Sequence, residues 1–110
     1  MHEIKAIIRP DRLHRVIDAL RQIPDLPGIT VSTVTGFGRR RVDAAGGAME
    51  FGEVTMTKLE VVLPDAMLTE ALATVRRTAC TGHAGDGKVF VLPVEQAMKI
   101  RSDEHGLDAL

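Results

Sequence analysis

The chain has 110 residues, with 14 basic and 15 acidic side chains and a formal net charge of −1. That length makes one domain, residues 1–110, with a real core but small enough to gain from association. Balanced charge excludes a general drive toward nucleic acid or anionic membrane, and no apolar run approaches a transmembrane helix.

The N-terminus, Met1-His2-Glu3-Ile4-Lys5, begins like a strand and lacks a signal peptide's apolar region. Ile7-Ile8-Arg9-Pro10-Asp11 then ends an aliphatic strand at proline, with Asp11 as the expected helix cap. Leu13, Val16, Ile17 and Leu20 follow at the spacing of one helical face. Pro27-Gly28 marks a turn, and Ile29 to Thr35 reads as a strand. From Arg39 to Glu53 there is no helical or strand period, and Gly and Ala abound. That predicts a long, mobile hairpin connection, of the kind that is usually functional or disordered. Its Met49 and Phe51 are open to two readings, docking on a partner or folding back onto the sheet. The first pattern then repeats. Val61-Val62-Leu63-Pro64-Asp65 leads into a helix with Leu68, Ala71, Leu72 and Val75 on one face, then a glycine-rich loop and the strand Val89 to Leu92.

Two strand–helix–strand units in series predict an α+β, ferredoxin-like double βαβ sandwich. Its four-stranded antiparallel sheet carries both helices on one face. Ile7, Val62 and the Val89–Leu92 strand then place apolar side chains on the uncovered face, which predicts self-association.

Thr81-Gly82-His83-Ala84-Gly85-Asp86-Gly87-Lys88 is the segment richest in chemistry. Its Gly82, four residues and Gly87-Lys88 match the spacing of a P-loop. Val89 stands where that loop has its magnesium-binding Ser or Thr, and here a helix precedes and a strand follows. What remains is glycines that let backbone N–H groups converge on an anion, plus one lysine. Binding a nucleotide to sense it fits this better than hydrolysing it. Cys80 reads as a small packed residue at a helix end, and a lone cysteine fits a reducing cytoplasm. His83 reads as an exposed loop residue and Arg76-Arg77 as a solvated pair. His2, His14, His83, His105 and Cys80 lack ligand spacing, so no metal site is expected. No Ser–His–Asp set or paired-carboxylate spacing points to an enzyme.

The chain resembles the PII signal-transduction family. The resemblance rests on Ala6-Ile7-Ile8-Arg9-Pro10, Thr30-Val31, Gly36-Phe37-Gly38-Arg39, Lys58-Leu59-Glu60-Val61-Val62, the 81–88 segment, Pro93-Val94-Glu95 and Lys99-Ile100-Arg101. It covers the chain except residues 40–56. It implies a homotrimer that binds adenine nucleotides (ADP, AMP or ATP) between subunits. It also implies a T-loop, here about 39–54, that engages a partner such as a membrane transporter. Gly36, Phe37, Gly38 and Arg39 match the T-loop base beside the nucleotide. Gly85, Asp86, Gly87 and Lys88 match the phosphate loop (81–88), and Val62 matches a position beside the adenine. Thr30 and, in the C-terminal segment 94–110, Arg101 match residues reaching in from a neighbouring subunit. Lys99 stands where the family usually has arginine, keeping the charge and losing the fork.

Departures qualify what the resemblance implies. The chain has no tyrosine, and residues 40–53 contain no Ser or Thr, so neither T-loop modification site of the family is present. Arg40 replaces a Gln and Met56 a Lys that, in the family, support magnesium-ATP with 2-oxoglutarate. Arg40 cannot ligate a metal, and Met56 cannot pair with a carboxylate. Arg40 and Arg41 are instead candidates for a second-anion site. The expectation is a divergent member whose relatives by resemblance include bicarbonate-, carboxysome- and metal-efflux-linked branches. A standard nitrogen sensor and a metal-binding trimer are the alternatives. An RNA-recognition domain is disfavoured by three phenylalanines as the only aromatics, and an acylphosphatase-like enzyme by the lack of any Asn.

Overall fold

The structure, a computed structural model, describes residues 1–41 and 49–110, with backbone alone at 40, 41 and 49. Strand β1 is His2–Ile8, helix α1 Leu13–Leu20, β2 Thr30–Arg41, β3 Met49–Leu63, α2 Asp65–Ala79 and β4 Gly87–Pro93. The strands lie in the order β2-β3-β1-β4, every neighbouring pair antiparallel. This is the ferredoxin-like sandwich expected from the two repeated units.

Alternation along the central strands builds the core. Ile4, Ala6 and Ile8 of β1 and Leu59, Val61 and Leu63 of β3 point to one face. There they meet Val16 and Leu20 of α1 and Ala71, Val75 and Ala79 of α2. The side chains between them, Glu3, Lys5 and Ile7 on β1 and Lys58, Glu60 and Val62 on β3, occupy the opposite, open face. That face is therefore mixed rather than apolar. Ile7 and Val62 alternate in space with charges, and Lys58 Nζ lies 3.3 Å from Glu60 Oε1. Val89 and Val91 pair with Ala6 and Ile4 and so belong to the helical face. They stay exposed, as does Phe90 on the open face, because β4 is an edge strand.

Three local expectations change. Asp11 lies inside a 3₁₀ turn, Pro10–Arg12, whose cap position is Arg9. Asp65 is the first residue of α2 after Pro64, and neither element has a side-chain cap. A proline at the element boundary fixes φ there, and the aspartate falls one place further in. The Asp65 carboxylate instead meets His2 Nδ1 at 2.5 Å and the Met1 ammonium at 3.2 Å, and those bonds lower its pKa. Second, Cys80 is exposed rather than packed, just past the end of α2.

Third, the irregular connection is shorter than 39–54. The β2–β3 ladder continues to Arg39 opposite Phe51 and Arg41 opposite Met49. Thr33 and Thr57 are level with Ile8, the last residue of β1, so the ribbon beyond them has no third strand. No core dictates alternation there, and the strand period is absent from the sequence for that reason. Phe51 is 68 % exposed and Phe37 64 %, so Phe51 does not fold back onto the sheet.

Candidate functional site

Loop 81–88 joins α2 to β4, and its shape follows from its glycines and one carboxylate. Gly82, Gly85 and Gly87 all have positive φ, which an L side chain resists. Gly87 has a second requirement. A Cβ there would sit 1.7 Å from the backbone oxygen of Ile7, inside the β1–β4 ladder. This glycine serves strand packing before any ligand, and a bulky replacement would disturb β1 as well as the loop.

Asp86 organises the turn. Its Oδ2 accepts from the N–H groups of Thr81 at 2.7 Å and Gly82 at 3.0 Å, and its Oδ1 from the Thr81 hydroxyl and from Arg9 Nε at 2.8 Å. The hydroxyl of Thr81 first, and then Arg9, hold its pKa well below the usual carboxylate range. Arg9 Nη2 also donates to the Ala84 carbonyl at 2.7 Å, and His83 N–H to Thr81 Oγ1 at 3.2 Å. The first glycine-associated amides thus do converge on an anion, but it is the chain's own carboxylate. No partner occurs among the described residues for the amides of Ala84 and Gly85, the central residues of a hydrogen-bonded turn. Lys88 follows, exposed and on the open face opposite Ile7.

The other candidate residues fall into two groups within one chain. Gly36, Phe37, Gly38 and Arg39 lie on the projecting ribbon, at the end of the sheet that also carries loop 81–88. Val62 and Thr30 lie toward the other end. Together with Glu3 and Glu60 they line a cavity of about 330 Å³. Val62 is opposite Glu3, and Thr30 opposite Glu60. The segment after β4 begins at that second end, where Val94 N–H donates to the Met1 carbonyl at 3.1 Å. It folds into a small hairpin closed by Lys99 N–H to the Glu104 carbonyl at 2.8 Å and Gly106 N–H to the Ala97 carbonyl at 3.0 Å. Lys99 Nζ is 3.7 Å from Glu104 Oε1, while Arg101 is exposed beside Ile100, itself 94 % exposed. From the row of Lys88 to that of Val62 is four residues, about 13 Å along the strands.

In the cavity, Glu3 when protonated can donate to the Glu60 carboxylate. This hydrogen bond raises the pKa of Glu3 and lowers that of Glu60. A second cavity, of about 420 Å³, lies between α2 and β4, lined by Leu72, Val75, Arg76, Ala79, Val89 and Lys88 among others. Met56 is buried and opposite Val34, at the root of the ribbon. The side chains of Arg40 and Arg41, the second-anion candidates, lie outside the described residues. Among the described residues no group of three His, Cys, Asp or Glu could hold a metal ion, and no helix is long and apolar enough to cross a membrane. Arg9 and Thr81 are the site-forming residues that the sequence reading did not single out.

Known proteins give the fold its context. Residues 1–104 match the family model described as nitrogen regulatory protein P-II. The chain is 41% identical over 113 aligned residues to a nitrogen regulatory protein P-II of Bradyrhizobium diazoefficiens and 38% identical to one of Azospirillum brasilense. Each match spans the full length of both chains. Among solved structures, Arabidopsis thaliana PII bound to citrate superposes with a TM-score of 0.82 at 35% identity, covering 99% of this chain and 91% of that one. Bacillus subtilis GlnK gives 0.85 at 27% identity, covering 99% and 97%. With the family model matching residues 1–104, a shared fold and similarity across its length, the chain belongs to the nitrogen regulatory protein P-II family.

Proposed function

We propose that this chain is a non-enzymatic cytoplasmic regulator that binds ADP, AMP or ATP between the subunits of a homotrimer. In this reading the β2–β3 ribbon controls a partner protein, a membrane transporter or a bicarbonate-related system. The observation that carries the reading is loop 81–88: its own acid is already neutralised, the amides of Ala84 and Gly85 are unpaired among the described residues, and Lys88 follows. Such a loop suits a polyphosphate, which needs several N–H donors and no competing carboxylate.

The rest of the site follows from the two groups. The phosphates lie at Gly85, Asp86, Gly87 and Lys88, with Gly36, Phe37, Gly38 and Arg39 closing over them. The adenine lies toward Val62. Thr30 sits at the far end of its own chain, where the segment that carries Lys99 and Arg101 begins, which supports their serving the site of a neighbouring copy. Phe90 and Val91 are exposed on the edge strand β4, the kind of surface that a trimer buries.

The test is calorimetric titration with ADP, alongside light scattering. Lys88→Ala should weaken ADP binding about tenfold to a hundredfold, the worth of one charge-assisted contact, in a particle that keeps a mass near three chains. Unchanged affinity would move the phosphates elsewhere, and a stable monomer at micromolar concentration would remove the shared cleft.

The names of the relatives favour a second reading, a standard sensor of nitrogen status that joins ATP to 2-oxoglutarate. Against it, Met56 is apolar, buried and packed at the ribbon root, offering no cation to a dicarboxylate.

A further inference from the structure

We propose that Arg9, through Asp86 and the Ala84 carbonyl, is the positioning residue for phosphate recognition by loop 81–88. The proposal rests on the nucleotide reading above and adds a residue to it. The geometry is a chain of contacts across two elements. Ile8 is the last residue of β1 to pair with β4, opposite Gly87. Arg9 and Asp86 are the next residue on each side, where the backbone ladder stops. Their side chains extend it: Arg9 Nε meets Asp86 Oδ1 at 2.8 Å and Nη2 meets the Ala84 carbonyl at 2.7 Å. The guanidinium also lies against Gly85, 3.3 Å from where a Cβ would stand. One planar fork therefore fixes three successive residues of the loop, Ala84, Gly85 and Asp86. A lysine, with three donors on a compact point charge, lacks the planar fork that fits both acceptors.

Charge supplies the second half of the argument. Asp86 is the one carboxylate inside the loop, and a bare carboxylate there would repel an incoming phosphate. Arg9 cancels it and leaves Lys88 as the uncompensated charge. Arg9 thus acts on the ligand through Asp86, both by placing the amides and by silencing the acid. It is a positioning residue, with no contact of its own to the phosphates required.

The experiment is titration of the full chain with ADP and with adenosine, for wild type, Arg9→Met, Arg9→Lys, Asp86→Asn and the Arg9→Met/Asp86→Asn double variant. Arg9→Met should lose about tenfold or more in ADP affinity, the scale of one ionic hydrogen bond, with adenosine affinity unchanged. Arg9→Lys should recover part of the loss. Adding Asp86→Asn to Arg9→Met should cost nothing further and restore part of the affinity, because the exposed acid is gone. Additive losses, or an equal loss for adenosine, would overturn the proposal. Amide hydrogen exchange without ligand separates it from the nucleotide reading. The Thr81 and Gly82 amides, held by Asp86, should exchange about tenfold faster in Arg9→Met. Unchanged exchange overturns the positioning role even if ADP binds. If the wild type binds no ADP while Arg9→Met still shows the faster exchange, the nucleotide reading is overturned, and with it the phosphate role of Arg9.

Discussion

Replacing Gly87 by alanine isolates what the loop glycine does for the fold. The backbone at Gly87 has φ of +105° and its added Cβ would stand 1.7 Å from the Ile7 oxygen and 2.8 Å from the Ile7 carbonyl carbon. Both atoms are backbone within a paired strand, so no side chain can swing aside. The positive φ alone costs about 1–2 kcal/mol for an L residue. Relief of the overlap must open the end of the β1–β4 ladder, at about 1 kcal/mol for each hydrogen bond lost. With one or two bonds lost the total is about 2–4 kcal/mol, a large share of the ~5–15 kcal/mol typical of a domain. For a chain near this size that lowers Tm by roughly 10–20 °C. Gly82→Ala is the matched control. Its φ is +83° but nothing lies within 4 Å of the added Cβ, so only the strain of about 1–2 kcal/mol applies. Thermal denaturation followed by circular dichroism, at one fixed protein concentration because association contributes, should show Gly87→Ala melting well below Gly82→Ala. Equal melting temperatures for the two variants would refute the steric argument.

Two further outcomes follow from the open face and the ribbon root. Sharing a proton with Glu60 raises the pKa of Glu3 and lowers that of Glu60, so the pair should titrate in two separated steps by side-chain carbon NMR, Glu3 above the ordinary glutamate value and Glu60 below it. By linkage, the raised Glu3 favours the fold less as pH climbs through its step, and the lowered Glu60 favours it less as pH falls through its own. Coincident, ordinary titrations would show that the two carboxyls do not interact. With Met56 buried at the ribbon root, 2-oxoglutarate should not raise ATP affinity, and EDTA should not abolish ADP binding. Strong magnesium-dependent synergy between ATP and 2-oxoglutarate in calorimetry would restore the standard sensor.

The sandwich was legible because both repeated units carry their burial pattern in apolar letters. Leu13, Val16, Ile17 and Leu20 mark the inner face of α1, and Val61-Val62-Leu63 is recognisably a central strand. The pattern fails where polar residues are buried. In the second half of α2, Thr74 and Thr78 face the core with their hydroxyls donating back to the Glu70 carbonyl at 2.8 Å and the Thr74 carbonyl at 2.7 Å. Threonine satisfied by its own helix packs as a small apolar residue, yet an apolar count passes over it. The ribbon beyond Thr33 and Thr57 fails for the opposite reason. Apart from Met56 at its root, its side chains are exposed or half-buried, so they carry little apolar burial signal. The open face looks apolar from Ile7 and Val62 alone, but Glu3, Lys5, Lys58 and Glu60 alternate with them in space and make it mixed.

At the candidate site, the glycines announced themselves, since Gly82, Gly85 and Gly87 sit where an L side chain resists the backbone. Arg9 and Asp86 did not, because 77 residues separate them and neither belongs to a motif that names the other. The signal lay in the register. Two apolar strands, Ile4–Ile8 and Val89–Leu92, run antiparallel at the centre and edge of one sheet, and the glycine that fits against Ile7 sets their alignment. Once Gly87 is placed opposite Ile8, the residues just outside the ladder are an arginine and an aspartate, of opposite charge and within reach. A steric demand at one glycine thus brings together the ion pair that shapes the loop, so the packing of β4 on β1 and the geometry offered to an anion are set by the same contact.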